Sequence, residues 1–171
     1  MLPLSEKTAY LHGMTPIAPP AAITPFAGQY IDGLHYFAVR VYYEDTDFSG
    51  IVYHANYLRF CERARTDMLS NVGIDQRAAF EEGIGAYAIA SIDSKYHIPA
   101  KFDDALLIIS AVTRIRAAGC EIQQKVMRGD ELIFTANVKA AFLNPKGRPV
   151  RQPAKWVAAF QSVLNEDMQI L

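Results

Sequence analysis

Over its second half the chain alternates apolar and polar residues with a period of two, the signature of strands with one face buried. Ala88, Ala90, Ile92, Tyr96 and Ile98 form one such run, and Leu107, Ile109, Ala111 and Ile115 a second. Ile122, Gln124 and Val126 follow, then Leu132, Phe134, Ala136, Val138, Ala140 and Phe142. Gly119, Gly129-Asp130 and Asn144-Pro145-Lys146-Gly147 punctuate these runs as tight turns, so consecutive strands are expected to pair antiparallel. Residues 35–43 alternate in the same way and predict a first strand. Between the first strand and the rest the period lengthens: Tyr57, Cys61, Ala64, Met68 and Val72, widened by Leu58 and Leu69, predict a helix over residues 55–72, about 27 Å long. Glu62 with Arg65 and Arg63 with Asp67 are placed to pair on its exposed surface, and Gly73 stops it. A second short helix is expected over residues 76–82, and Trp156 and Phe160 mark residues 154–162 as a short helix or a last strand. One long helix followed by antiparallel strands predicts an α+β fold, with the sheet wrapped around the helix. A sheet that covers one side of its helix leaves a face open for a second copy, so an oligomer is expected.

The first 34 residues break this order. Pro3, Pro16, Pro19, Pro20 and Pro25 occur with no apolar period, so residues 1–34 are expected to be a mobile extension, residues 35–163 the folded domain and residues 164–171 a tail. At 171 residues the chain suits one domain with its own core. A net charge of −1 argues against binding along nucleic acid. No apolar stretch reaches the length of a membrane span and no secretory leader is legible, so no integral membrane segment and a cytoplasmic location are expected. Cys61 and Cys120 lie on core-facing positions and the histidines at 12, 35, 54 and 97 lack zinc spacing, so neither a metal nor another cofactor is expected.

The chemistry concentrates in the acidic turn between the first strand and the helix, Asp45 to Asn56. Calcium is one reading, since Asp45, Asp47, Ser49 and Gly50 match the opening of an EF-hand loop. Position 12 of that loop is Asn56 instead of glutamate, however, and a strand precedes it where a helix should be. A structural turn is another, because an aspartate near a helix start satisfies free N–H groups and the macrodipole. The third is catalytic: a carboxylate beside a histidine and free backbone N–H groups is suited to attack on a polarised carbonyl.

The stretches Tyr43-Glu44-Asp45-Thr46-Asp47 and Gly50-Ile51-Val52-Tyr53-His54-Ala55-Asn56-Tyr57 resemble the 4-hydroxybenzoyl-CoA thioesterase family of hotdog-fold acyl-CoA thioesterases. Glu62-Arg63-Ala64-Arg65-Thr66-Asp67-Met68-Leu69 and Tyr96-His97-Ile98-Pro99-Ala100-Lys101-Phe102-Asp103-Asp104 are similar to its Tol-Pal-associated, YbgC-like branch. The resemblance covers roughly residues 36–162. It implies a hotdog fold and hydrolysis of acyl-CoA to free acid and CoA, with Asp47 as nucleophile or general base. The N–H groups near Tyr53 and His54 would face the thioester oxygen and the His54 side chain would sit beside the carbonyl. Gly50, Val52, Tyr53, Asn56 and Tyr57 are expected around the acyl group, with Asn56 also capping the helix and Asp45 tying down the turn. Lys95, Lys101, Arg114 and Arg116 are candidates for the CoA phosphates, and Ala86, Ala88 and Ala90 for leaving room for the acyl tail. The resemblance also implies a tetramer of paired dimers with sites at subunit interfaces. The alternative is a non-catalytic module that binds acyl thioesters or an acyl carrier protein in an envelope-associated complex. Dehydration on the same fold is disfavoured, because no histidine precedes a Pro-Gly pair.

Overall fold

A computed structural model describes residues 27–166. Residues 1–26, most of the expected extension, and residues 167–171 of the expected tail lie outside the described residues. The elements are β1 (Gln29–Ile31), β2 (Leu34–Arg40), α1 (His54–Asn71), α2 (Gln76–Glu81), β3 (Ala86–Tyr96), β4 (Ala105–Arg116), β5 (Gly119–Arg128), β6 (Glu131–Leu143) and α3 (Ala154–Gln161). The strands form one antiparallel sheet in the order β1-β2-β4-β5-β6-β3. Helix α1 packs against β1, β2 and β4.

The core sits between α1 and the inner face of the sheet. Tyr57, Cys61, Ala64 and Met68 are buried as their spacing predicts, and Phe60, which the predicted stripe omits, is fully buried beside them. Deleting a ring like this leaves a cavity and costs about 3–5 kcal/mol. Ile122, Gln124 and Val126 of β5 face the same core, as do Phe134, Ala136, Val138 and Phe142 of β6. In β4 the phase differs from expectation. Leu106, Ile108, Ser110 and Val112 are the buried set, while Leu107 and Ile109 lie on the less buried face. Four consecutive apolar residues, Leu106 to Ile109, offer the same alternation in either phase, and pairing decides between them.

Three boundaries move. Strand β1 lies inside the expected extension: it pairs with β2 through Ile31↔Leu34, across a two-residue turn with Asp32 and Gly33 at φ +50° and +77°. An Asp-Gly pair is a strong hairpin signal, here masked by the prolines that precede it. The first strand ends at Arg40, because Tyr43–Asp45 form a single 3-10 turn. The expected tail starts too early, since Leu164 bridges Val112 and the Asn165 N–H donates to the Val112 carbonyl at 2.9 Å.

The pairs expected on the helix surface also differ. Asp67 accepts from the Nε2 of His35, a buried residue of β2, at 2.7 Å, and from the Gly28 N–H at 2.9 Å. Burial pulls the His35 pKa below its usual value, against the opposing pull of Asp67. Arg63 instead lies over the Phe60 ring at 5.6 Å, and Arg65 turns inward to donate to Gln124 Oε1 at 2.7 Å.

Strand β3 is an edge strand, and its register with β6 shifts between Ile89 and Ser91. Ile89 pairs with Ala140 before the bulge, and Ile92 and Tyr96 pair with Val138 and Phe134 after it. The bulge therefore puts odd-numbered residues on the helix side before it and even-numbered ones after it.

Candidate active site

The acidic turn is held by its own backbone. The Asp45 carboxylate accepts the Tyr42 N–H at 2.8 Å, which fixes the entry to the 3-10 turn. The Asp45 carbonyl accepts two donors, the Tyr53 N–H at 2.9 Å and Asn56 Nδ2 at 2.9 Å. The Asp47 N–H donates to the Ile51 carbonyl at 2.9 Å and the Gly50 N–H to the Asp47 carbonyl at 3.0 Å. Gly50 sits at φ +76° with open space where a Cβ would point, so backbone conformation alone, not crowding, favours glycine there.

These bonds decide which amides at the start of α1 are left over. Tyr53 is the N-cap and gives no side-chain cap; its N–H is taken by Asp45, and the Asn56 N–H returns to the Tyr53 carbonyl at 2.8 Å. The N–H groups of His54 and Ala55 have no acceptor among the described residues, as expected of a first helical turn. The free donors are thus one residue further along than the Tyr53 and His54 pair expected from the sequence.

A cleft of about 360 Å³ opens beside this turn. Asp47, Ile51, Val52, His54 and Tyr57 line one side and Tyr96, His97, Ile98 and Pro99 the other. The Asp47 carboxylate accepts the Ser49 N–H at 2.8 Å and the Ser49 hydroxyl at 2.5 Å. The Ser49 hydroxyl and N–H, with smaller help from Ile51 and the charge of His54, hold its pKa below the usual carboxylate value, against a slight opposing effect of burial. Asp47 is therefore an anion at neutral pH. The Tyr53 and His54 rings lie 4.4 Å apart, and Tyr96 Oη donates to the His54 carbonyl at 3.1 Å while its ring packs on Tyr57 and Phe134.

The opposite wall, Tyr96 to Pro99, is braced from behind through the loop that follows it. The Val52 N–H donates to the Ala100 carbonyl at 2.8 Å, and the Ala100 N–H to Tyr57 Oη at 2.9 Å. Arg128, at the end of β5, donates to Asp104 Oδ2 at 2.7 Å and to the Pro99 carbonyl at 3.4 Å, and the Lys101 N–H reaches the same Asp104 oxygen at 2.8 Å. Burial would raise the Asp104 pKa, but the Lys101 N–H and Arg128 outweigh it and hold it below the usual value.

Of the residues singled out in the sequence, Asp47, Val52, His54 and Tyr57 meet in the cleft. Gly50 and Tyr53 flank it. Asn56 does not line it: buried behind the turn, it is occupied by the Asp45 carbonyl and by Arg59. Lys101 is adjacent, bridged to Ile51, whereas Lys95 alternates with Tyr96 and so projects from the outer face of β3. Arg114 and Arg116 are not brought to the site. They lie at the far end of β4, where Arg116 pairs with Glu121. Tyr87 and Ile89, not Ala86 and Ala88, face the helix from β3. Tyr96 to Pro99, given no role from the sequence, were marked by their likeness to the YbgC-like branch. Among the described residues, no cluster of side chains could hold a metal ion and no helix is long and apolar enough to cross a membrane.

The sequence model of the thioesterase-like superfamily matches residues 41–164. An acyl-CoA thioesterase YbgC from Haemophilus influenzae is 40% identical over 125 residues, spanning 72% of this chain and 92% of that protein. The crystal structure of a probable thioesterase from Bartonella henselae superposes with a TM-score of 0.66 at 34% identity, covering 70% of this chain and 99% of that one. A 4-hydroxybenzoyl-CoA thioesterase variant, solved with 4-hydroxybenzoyl-CoA, shares the fold at 23% identity, with a TM-score of 0.68 and coverage of 74% and 98%. The chain is a hotdog-fold protein of the thioesterase-like superfamily and belongs with its YbgC acyl-CoA thioesterases.

Proposed function

We propose that this protein hydrolyses the thioester of an acyl-CoA to a free acid and CoA. The observation that carries the reading is an ionised Asp47 sharing a cleft with His54, the residue that opens α1 and whose N–H, like that of the adjacent Ala55, is unoccupied among the described residues. A thioester carbonyl seated with its oxygen toward the His54 and Ala55 N–H groups becomes a better electrophile, because those dipoles are already oriented toward the charge that develops. Asp47 then acts in one of two ways. As nucleophile it adds to the carbonyl carbon, CoA leaves as the thiolate, and water cleaves the resulting anhydride. As general base it takes a proton from the water that attacks. His54 is suited to hold the acyl carbonyl or the departing sulfur through its ring. Val52 and Tyr57 form the apolar floor next to the acyl group, with Gly50 and Tyr53 at the rim. Asn56 serves the site by fixing the Asp45 carbonyl. Lys101, next to Ile51, is the better placed of the two lysines for the CoA phosphates, and Lys95 would reach them only from the outer face.

The same reading includes a homo-oligomer, a tetramer of paired dimers. The long outer edge of β3 is unpaired among the described residues, and Ile89, Tyr96 and Ile98 are 47%, 50% and 39% exposed along it and just beyond. A second copy pairing there covers this edge and closes the open side of the cleft. Light scattering at micromolar concentration tests it, and a fully active monomer contradicts it. A module that only bound acyl thioesters, or docked an acyl carrier protein, would need the cleft but neither an ionised carboxylate nor unoccupied donors, and their presence favours turnover. Release of free thiol from a panel of short, long and aromatic acyl-CoAs is the direct test. No release by the intact protein from any of them rejects hydrolysis.

A further inference from the structure

A second cavity, of about 200 Å³, lies farther along α1. Arg65 and Leu69 line it from the helix and Tyr87 and Ile89 from β3, with Glu62 and Gln76 at its mouth. The two cavities lie along one flank of the helix. His54, Leu58, Arg65 and Leu69 recur at intervals of four, seven and four residues and so share a face. The bulge in β3 keeps both Ile89 and Tyr96 turned toward that face, and Leu58 and Ile92 lie half-buried between the two ends. From His54 to Arg65 the flank runs about 16 Å at 1.5 Å per residue.

The far end combines an apolar lining, completed by Cys120, Ile122, Ala140 and Phe160, with two charged groups. Arg65 spends one N–H on Gln124 Oε1, whose amide nitrogen is itself engaged by the Cys61 carbonyl at 3.0 Å and Ser110 Oγ at 2.9 Å. The remaining guanidinium donors have no acceptor among the described residues. Glu62, one turn earlier, holds the Thr66 hydroxyl at 2.8 Å and keeps acceptor capacity at the same cavity. A cation and an anion at one mouth suit a neutral group that both donates and accepts, whereas a second carboxylate would meet Glu62.

We propose that this cavity receives the far end of the acyl group, and that the preferred substrates are acyl-CoA thioesters of about a dozen carbons with a hydroxyl at or near the chain end. The inference rests on the thioesterase reading and deepens it. The aliphatic part lies along Leu58 and Ile92, and the hydroxyl bonds Arg65 and Glu62.

The test is kcat/KM for three CoA thioesters of equal twelve-carbon length, ending in a methyl, a hydroxyl or a carboxylate, together with butyryl-CoA. The expected result is a hydroxyl-to-methyl preference on the order of tenfold, the size of one hydrogen bond to a charged group. Arg65→Met should bring that ratio close to one. Should that variant fail to fold, Ile89→Trp, at a half-exposed edge position, fills the cavity and should lower the ratio of twelve-carbon to butyryl turnover several-fold. Equal turnover of methyl and hydroxyl chains, a preference for the carboxylate, or variants that lower every substrate in proportion overturns the inference while leaving hydrolysis standing. Absence of turnover on all four also overturns the inference, and absence on aromatic acyl-CoAs as well rejects the thioesterase reading itself.

Discussion

Replacing Ala55 with proline removes one of the two unoccupied N–H donors at the head of α1, with a modest bias of the preceding His54 away from helical backbone as its only other effect. The Ala55 amide makes no helical bond, and proline is tolerated in the first turn, where the N–H has no intrahelical partner. Folding should therefore lose no more than about 1–2 kcal/mol, which for a domain of this size is about 2–8 °C in Tm. The chemical step should change a great deal. Removing one preorganised oxyanion donor costs about 3 kcal/mol, on the order of a hundredfold in kcat. Free-thiol release on one good acyl-CoA gives kcat and KM, and a thermal melt gives Tm. Ala55→Gly is the control: it keeps the N–H, gives up about 1 kcal/mol of helix propensity and should keep most of kcat. Wild-type kcat in a folded Ala55→Pro protein would refute the assignment of the donors. A comparable loss in Ala55→Gly would trace the effect to the helix backbone instead.

Asp47→Asn should keep its fold and lose most turnover, because the amide is nearly isosteric but neither nucleophile nor strong base; His54→Ala should lose less, since the free donors belong to the backbone. Steady-state kinetics of the two, side by side, decide it, and a larger loss at His54 shifts the main role to the imidazole. His35 titrates below its ordinary value in the folded state because it is buried, so the folded protein binds fewer protons than the unfolded chain below about pH 6.5. Stability is then full above that pH and falls as the pH drops toward the folded-state pKa; His35→Gln should flatten the Tm profile between pH 7 and 5, and an unchanged slope contradicts the argument. Removing residues 1–31 takes away β1 and the half-buried Tyr30 ring packed at 5.2 Å on His35, so Tm should fall by about 4–10 °C, from about 2–3 kcal/mol of lost burial. An unchanged melt would show that β1 adds nothing to the core.

The turn and the helix that form the candidate site were legible because they are local. Asp45, Asp47, Gly50 and His54 span ten positions, and the stripe from Tyr57 to Met68 repeats within one element. What was missed depends on partners far away in sequence. Arg65 reads as a surface residue until Gln124, fifty-nine positions on, is brought beneath it. Asp67 reads as the partner of Arg63 until the β1 hairpin delivers His35 and Gly28. The phase of β4 was ambiguous because both of its faces are apolar where the choice is made. The wall from Tyr96 to Pro99 needed the pairing of β3 with β6 and the reach of Arg128 before it could be set opposite Asp47.

That reach has an effect on how the protein meets acid. Arg128 and the Lys101 N–H converge on one carboxylate, Asp104, and the loop they hold is the cleft's second wall. Both carboxylates on which the proposed site depends, Asp47 and the bracing Asp104, are held below their ordinary values by contacts within their own neighbourhoods. Acid that would neutralise an ordinary carboxylate therefore leaves both the brace on this wall and the charge on Asp47 in place.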